Sequence, residues 1–462
     1  MLCMRPAWVS FGLMMVWICC ATRAAAQHTG IVHLTDSTYA PVGLVYPPST
    51  TRVFANVFDL DRASSSSPSD TLDVIFSTPS DPGESVALAG MGVGSGQFIG
   101  SIDLDVRAGP GPIDATPDGQ LQVRRGQTLL VVYHDPNDDF GNASAVGDDA
   151  IFNGIQGGAS GEWSRAQSPY IVVGNVGIDE GATLQIDAGV EVRFLPGASL
   201  TVGGGLRVAG AAGDSVRFTS NRLNPFPGDW GPIFIYFGGG SGRGNLSHVI
   251  IEYGRGLVYE GSASIDHSVI RWNRDQGVSA FGTTPISLDR SVIEHNGGFG
   301  LSLTGGRLFA CTIRDNVLGG LSVDGSVSVD SSAILGNQGP GVSCVGSLGT
   351  ISITHSRISD NHGVGVSINS ASRQDVVLNG NDLEDNAAYE IRNESSGEIN
   401  ARDNFWGAAT TAEMNAGGNP KNIGRIYDRY DDGTKGFVNY SAWRNATAVT
   451  QVSWGRVKAL FR

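Results

Sequence analysis

Six residues recurring at near-constant spacing are the first place to look for chemistry: Trp272, His295, Asp315, Gly336, Asp360 and Asp385. Each immediately precedes an asparagine, and Asn273, Asn296, Asn316, Asn337, Asn361 and Asn386 lie 23, 20, 21, 24 and 25 residues apart. One position earlier stand Arg271, Glu294, Arg314, Leu335, Ser359 and Glu384. If successive copies stack, Asp360 and Asp385 fall on adjacent rungs, roughly 5 Å apart, near the ~5–5.5 Å carboxyl separation of retaining glycoside hydrolysis. Close like charges also raise one pKa or recruit a cation. Asp315, Asp360 and Asp385, with Arg314 beside them, are therefore the candidate catalytic groups. Trp272, His295, Glu294 and Glu384 are the candidate ligand-binding ones. The competing role for the same residues is a solvated polar face, which any stacked fold must have. His267 and His355 share a further column but stand four rungs apart, too far to cooperate.

The elements that would position these groups follow from the other columns. Three residues before each asparagine stands an apolar residue: Ile270, Ile293, Ile313, Ile334, Ile358 and Leu383. Five before it are Ser268, Ser291, Cys311, Ser332, Ser356 and Asn381, and eight before it Ile265, Leu288, Leu308, Val329, Ile353 and Leu378. Five after it come Val278, Leu301, Leu321, Val342, Val366 and Ile391. Each copy thus holds three short alternating stretches that form no sheet alone. Stacked at the ~4.8 Å strand spacing, they wind into a three-sided parallel solenoid with the apolar columns inside. Gly277, Gly300, Gly320, Gly341 and Gly365 precede the third stretch, at a corner that leaves no room for a side chain. The asparagines are expected to form a ladder of stacked amides, each bond worth about 1 kcal/mol. An earlier copy at Ser247–Tyr253 and shorter coils from Tyr170 onward extend the series. Cys311 and Cys344 point inward on different sides, which predicts two buried free thiols.

Ahead of the repeats, alternating runs at Arg52–Phe58, Thr71–Ser77, Gln97–Leu104, Gly119–Val123 and Thr128–Tyr133 predict short antiparallel strands. Acids gather in the intervening loops. Asp59, Asp61, Asp135, Asp138 and Asp139 are candidate oxygen ligands for Ca²⁺, against the alternative of turn-forming acids. No other cofactor is expected, and the chain has no phosphate-binding glycine loop, paired metal-type cysteines or His-Glu-x-x-His run.

Composition bounds the rest. The chain has 462 residues, 65 of them glycine and only 16% charged, which disfavours a helical bundle. Residues 1–26 have the three parts of an export signal: Arg5, an apolar core from Val9 to Cys20, and Ala24-Ala25-Ala26. The formal charge is −14, and losing Arg5 and Arg23 with the signal would take it to −16. That acidity argues against a nucleic-acid partner and suggests a saline habitat. The expectation is a monomer without a membrane span, secreted or extracellular, with attachment to a cell surface as the alternative. Its segments are 1–26 signal, 27–165 β-sandwich, 168–407 solenoid, 408–444 an aromatic cap, and 445–462 a basic tail.

Two resemblances follow. Asp59-Leu60-Asp61, Gly94-Ser95-Gly96-Gln97-Phe98 and Tyr133-His134-Asp135-Pro136 resemble an immunoglobulin-like module of exported bacterial proteins. The repeats, with Gly228-Asp229-Trp230-Gly231 and Asp403-Asn404-Phe405-Trp406-Gly407, resemble exported right-handed parallel β-helix proteins with the repeats of pectate lyases and polygalacturonases. The second resemblance implies the fold, and enzymes, adhesins and surface proteins all use it. The polygalacturonase pattern requires an Arg-x-Lys on the rungs, whereas Arg456-Val457-Lys458 lies in the tail. The sequence-based expectation is an all-β protein whose solenoid binds polysaccharide or a cell-surface partner without catalysis. The alternatives are a polysaccharide hydrolase or lyase, and a purely structural envelope protein.

Overall fold

A computed structural model describes residues 28–446, except 43–44, 47–49, 64–69, 108–116, 138–139, 141, 237–242, 283–284, 347–348 and 370–374. The proposed signal, Asp138, Asp139 and nearly all of the basic tail lie outside the described residues. The protein is all-β: an antiparallel sheet followed by a parallel solenoid of about ten turns. One short α-helix, Gly407–Asn415, lies near the C-terminus.

The N-terminal module is one nine-stranded sheet curled almost into a barrel. Its spatial order starts at Ile31–Thr35 and passes through Arg52–Phe58 and Gln97–Val106 to Asp81–Gly90. It continues through Thr71–Thr78, Thr128–Asp135 and Ser144–Phe152 to Val45–Tyr46, and the ninth strand, Gln120–Val123, pairs with Gln97–Val106 off this path. The first strand returns towards the far side, where the Leu34 N–H donates to the Asp148 carboxylate at 2.8 Å. Alternation along these strands turns Val53, Val74, Phe76, Phe98, Val131, Tyr133 and Phe152 into a core of their own.

The solenoid's parallel pairing begins at Gly154–Gly158, ahead of the first coil read from the sequence. Each turn then contributes a strand to each of three parallel sheets. In a typical turn these are Ser262–Asp266 in the first sheet, Val269–Arg271 in the second and Val278–Ala280 in the third. Strand pairing follows the predicted columns residue for residue: Ile270 faces Ile293, Ile293 faces Ile313, and Val278 faces Leu301. The inward column Ile270, Ile293, Ile313, Ile334, Ile358 and Leu383 is fully buried. Each such side chain contributes roughly 1.5–3 kcal/mol.

The asparagine ladder forms as expected. The Asn316 amide donates to Asn337 Oδ1 at 3.0 Å and to the Ile293 carbonyl at 3.2 Å. Its own Oδ1 accepts the side chain and the main-chain N–H of Asn296, both at 3.0 Å. The same pattern joins Asn273 through Asn386. The corner glycines make room for it: a Cβ on Gly320 would stand 3.0 Å from Asn337 Nδ2 and 2.5 Å from the Gly341 carbonyl oxygen. A second ladder runs along the other corner through Ser268, Ser291, Cys311, Ser332, Ser356, Asn381 and Asn404. Cys311 takes its place there, its thiol donating to the Leu288 and Phe309 carbonyls at 3.5 Å. Both Cys311 and Cys344 are buried and unpaired, and burial pushes each thiol up to about 12.

Both solenoid ends are closed. Trp163 stacks on Tyr170 with centroids 4.8 Å apart at the first. At the other, the expected cap extends the sheets: Ile426–Tyr427 pairs with Ile391 and Val438–Asn439 with Ile399. Met414 of the helix, Ile423 and Tyr440 complete the core. The last ladder asparagine, Asn386, donates to buried Glu390 at 2.5 Å, and Glu390 pairs with Arg425 at 2.7 Å. Among the described residues no helix is long and apolar enough to cross a membrane.

Candidate functional site

Each ladder position is preceded by a residue in the left-handed backbone region, which turns the chain at a corner of the solenoid. Before the asparagines these are Trp272, His295, Asp315, Gly336, Asp360 and Asp385, and Tyr253 holds the same place before Gly254 in the preceding turn, with φ between 51° and 63°. Before the serine ladder they are His267, Arg290, Ala310, Ser331, His355, Gly380 and Asp403, and His248 holds the same place before Val249 one turn earlier, with φ between 46° and 72°. A non-glycine residue in this region costs about 1–2 kcal/mol. Glycine meets that requirement at 336 and 380. Aromatic and histidine side chains at the other rungs are not needed for the turn.

The first of these columns carries the predicted site. Tyr253 stacks on Trp272 with centroids 5.4 Å apart, and Trp272 on His295 at 6.4 Å, giving a ring ladder along the solenoid axis. The Arg271 guanidinium lies over the Trp272 ring, 4.0 Å from its centroid. Beside the rings runs the alternating row Glu252, Arg271, Glu294, Arg314, set by strand register. Buried Glu252 holds Arg217 at one oxygen, at 2.5 Å, and Arg271 at the other, at 2.8 Å. Nearly buried Glu294 pairs with Arg314, whose other nitrogen reaches Asp315 at 3.3 Å. Asp315 Oδ2 is also 3.9 Å from His295 Nε2.

Trp272, His295, Glu294, Arg314 and Asp315 are thus one cluster. Asp360, Glu384 and Asp385 form another, separated from it by the rung of Leu335 and Gly336. There Arg357 lies 3.2 Å from Glu384 and 4.0 Å from Asp360. Burial, with Asp385, Asp382 and Asp360 nearby, pushes the Glu384 carboxyl up, while Arg357 opposes the rise. The loop before Tyr253 flanks the ring ladder. Its Trp230 is buried, stacks on Phe194 at 4.1 Å and donates to the Glu252 carbonyl at 3.0 Å. Gly228-Asp229-Trp230-Gly231 is therefore a packing element that supports the Glu252 rung.

The loop acids of the N-terminal module hold backbone and side-chain donors. Buried Asp59 accepts the Tyr133 hydroxyl at 2.6 Å and the Asp61 N–H at 2.9 Å. Asp61 accepts the His28 N–H at 3.2 Å, and buried Asp135 accepts the Gly30 N–H at 2.6 Å.

One grouping was not recognised in the sequence. His248 stands one rung from His267, their rings parallel within 3° and centred 4.8 Å apart. Asp266 Oδ2 is 3.0 Å from His267 Nδ1 and accepts the Ser247 hydroxyl at 2.9 Å. Burial and the neighbouring imidazole push His248 down from its ordinary pKa. Aligning Ser247–Tyr253 with later copies places His248 and His267 in one column; counting only His267 and His355 concealed the pair.

Residues 255–406 match a protein-family model described as "Right handed beta helix region". Among solved structures, the periplasmic alginate epimerase AlgG aligns with 51% of this chain and 71% of its own, at 13% identity and a TM-score of 0.33. The A-module of the mannuronan C-5 epimerase AlgE6 from Azotobacter vinelandii aligns with 59% of this chain and 91% of its own. That alignment has 13% identity and a TM-score of 0.27. Both likenesses are of fold alone. A comparison with curated protein sequences finds no significant match.

Proposed function

We propose that the protein is exported and acts on a polysaccharide laid along the Tyr253–Trp272–His295 edge of the solenoid. The observation that carries this reading is the ring ladder itself. Three flat side chains are presented at successive rungs, in backbone positions where glycine would be less strained. Stacked rings offer a sugar chain apolar faces at regular spacing, and the adjoining carboxylates and guanidinium groups offer hydroxyls their hydrogen-bond partners. In this reading His295 removes the proton beside the carboxylate of a bound uronate unit, and the glycosidic C–O bond on the neighbouring carbon breaks by elimination, leaving an unsaturated end on one fragment and a reducing end, protonated from solvent, on the other. Asp315 stabilises the resulting imidazolium, and Arg314, held by Glu294, binds an anionic oxygen of the ligand.

A second reading is binding without turnover. It is favoured by the engagement of Arg217, Arg271, Arg314 and Arg357 in carboxylate pairs on this face. Both readings share the ladder, and two substitutions separate them. Trp272→Gly should weaken glycan retention at least about tenfold, since a buried tryptophan anchor is commonly worth 2 kcal/mol or more. Its thermal midpoint should stay near that of the native protein, because glycine relieves the strained φ. His295→Asn, which leaves the Tyr253–Trp272 pair in place, should weaken retention less than Trp272→Gly does and abolish release of new reducing ends from acidic polysaccharides. Retention unchanged by Trp272→Gly would remove the ladder from consideration. Retention without release by the native protein would leave the binding reading.

A further inference from the structure

We propose that His248, His267 and Asp266 form a binding site for one divalent late transition-metal ion of the zinc class. This is independent of the glycan reading, since it concerns the opposite corner of the second sheet. One potential ligand atom from each of the three side chains lies within 4.8 Å of the others. Among the described residues no other trio of histidine, cysteine or carboxylate side chains meets that condition.

Donor chemistry selects the ion. Two imidazoles and one carboxylate suit zinc, copper or nickel, whereas calcium and magnesium prefer all-oxygen shells. Zinc–nitrogen bonds of about 2.0–2.1 Å require ligand atoms roughly 3–3.5 Å apart, so small rotations of the two rings complete the chelate. The supporting groups are in place. Ser247 Oγ holds the Asp266 carboxylate at 2.9 Å and lies 3.0 Å from His248 Nδ1, orienting both ligands. Both histidines sit on left-handed corners, with φ of 51° and 48°, which fixes their backbones one rung apart.

Three protein ligands leave coordination positions open, as in zinc sites that bind a water or a substrate oxygen. Here the space beside the site is a polar groove of about 420 Å³ on the first sheet. Arg207, Asn245, Ser264 and Asp266 line it, with Ser264 donating to Asn245 at 3.1 Å. The site therefore offers an open metal position to a small oxygen-bearing molecule in the groove.

The test is titration of the full chain with Zn²⁺ alone, followed by isothermal calorimetry, with Ca²⁺ as a control. One equivalent of zinc should bind, and calcium should not compete for it. His248→Gly and His267→Gly should each weaken zinc binding at least about tenfold, as expected for a ligand when loss of outer-shell partners alone costs 10–100-fold. Glycine suits both backbone positions, so the variants should keep the native circular dichroism spectrum. Zinc-edge X-ray absorption on the native protein supplies a readout that needs no variant. Two imidazoles with oxygen in the remaining shell support the site, while sulfur ligation or a single imidazole overturns it. Absence of stoichiometric zinc binding, or affinity unchanged in the double glycine variant, also overturns it.

Discussion

At the scale of single residues, position in the turn and position in the charge field make separable contributions. The Glu384 carboxyl is held above its ordinary range by burial and by three nearby acids. The folded state therefore binds this proton more tightly than the unfolded chain, and stability falls as pH rises through the interval between the two pKa values. Glu384→Gln removes that titration. Its thermal midpoint should decline less than the native protein's as pH is raised from about 4.5, the ordinary glutamate range, towards neutrality. An identical pH slope for the two proteins would show that Arg357 fully offsets the burial. Much of this residue-level picture was legible beforehand. Column alignment brought Trp272, His295, Glu294, Arg314 and Asp315 to one edge because parallel stacking converts equal offsets from a register mark into neighbours. It did not reveal the left-handed backbone beneath them. That conformation is set by the corner of the turn, and no residue preference marks it when tryptophan, tyrosine and histidine occupy it.

At the scale of the repeating element, the ladder and the corner glycine are one device seen from two sides. Asn316 is fully buried and satisfies two donors and two acceptors at once. Replacing it with alanine strands the Asn296 donors and the Ile293 carbonyl. Each buried unsatisfied group costs about 1–3 kcal/mol, so Asn316→Ala should destabilise by at least about 3 kcal/mol in chemical denaturation. Gly320→Ala attacks the same contact by overpacking, since its Cβ would meet Ile334 Cγ2 at 2.6 Å. An insertion of that kind costs typically about 1–3 kcal/mol. If either variant unfolds at the native denaturant midpoint, the ladder is not what locks the rungs. The sequence pointed to both columns, but it attributed the glycines to the tightness of the corner alone. The space is taken by the amide of the next rung, a contact between residues about twenty positions apart that only the register supplies. How the N-terminal sheet curls was not legible either. Strand alternation marks which side faces a core, while closure depends on Ile31–Thr35 reaching the Ser144–Phe152 strand across more than a hundred residues.

At the scale of the whole molecule, the two large hydrophobic cores among the described residues imply two units of stability. One holds Phe76, Phe98, Tyr133 and Phe152; the other runs unbroken from Trp163 to Tyr440. In the solenoid each turn touches only its neighbours, so its stability is the sum of turn and interface terms, and damage to one interface spreads along the stack. The curled sheet instead depends on contacts between strands distant in sequence, among them the Gly30 and Tyr133 bonds to Asp135 and Asp59. Calorimetry of the native chain should therefore resolve two transitions. Gly320→Ala should lower one and leave the other in place. Asp59→Asn, which weakens the buried partner of the Tyr133 hydroxyl, should do the reverse. Because the ring ladder and the histidine pair both lie on the solenoid, a glycan that binds the ladder should raise only the transition sensitive to Gly320→Ala. A single transition shifted by both substitutions would mean that the junction at Asn153, whose side chain donates to the Gln167 and Pro169 carbonyls at 2.8 and 2.7 Å, couples the two cores into one cooperative unit.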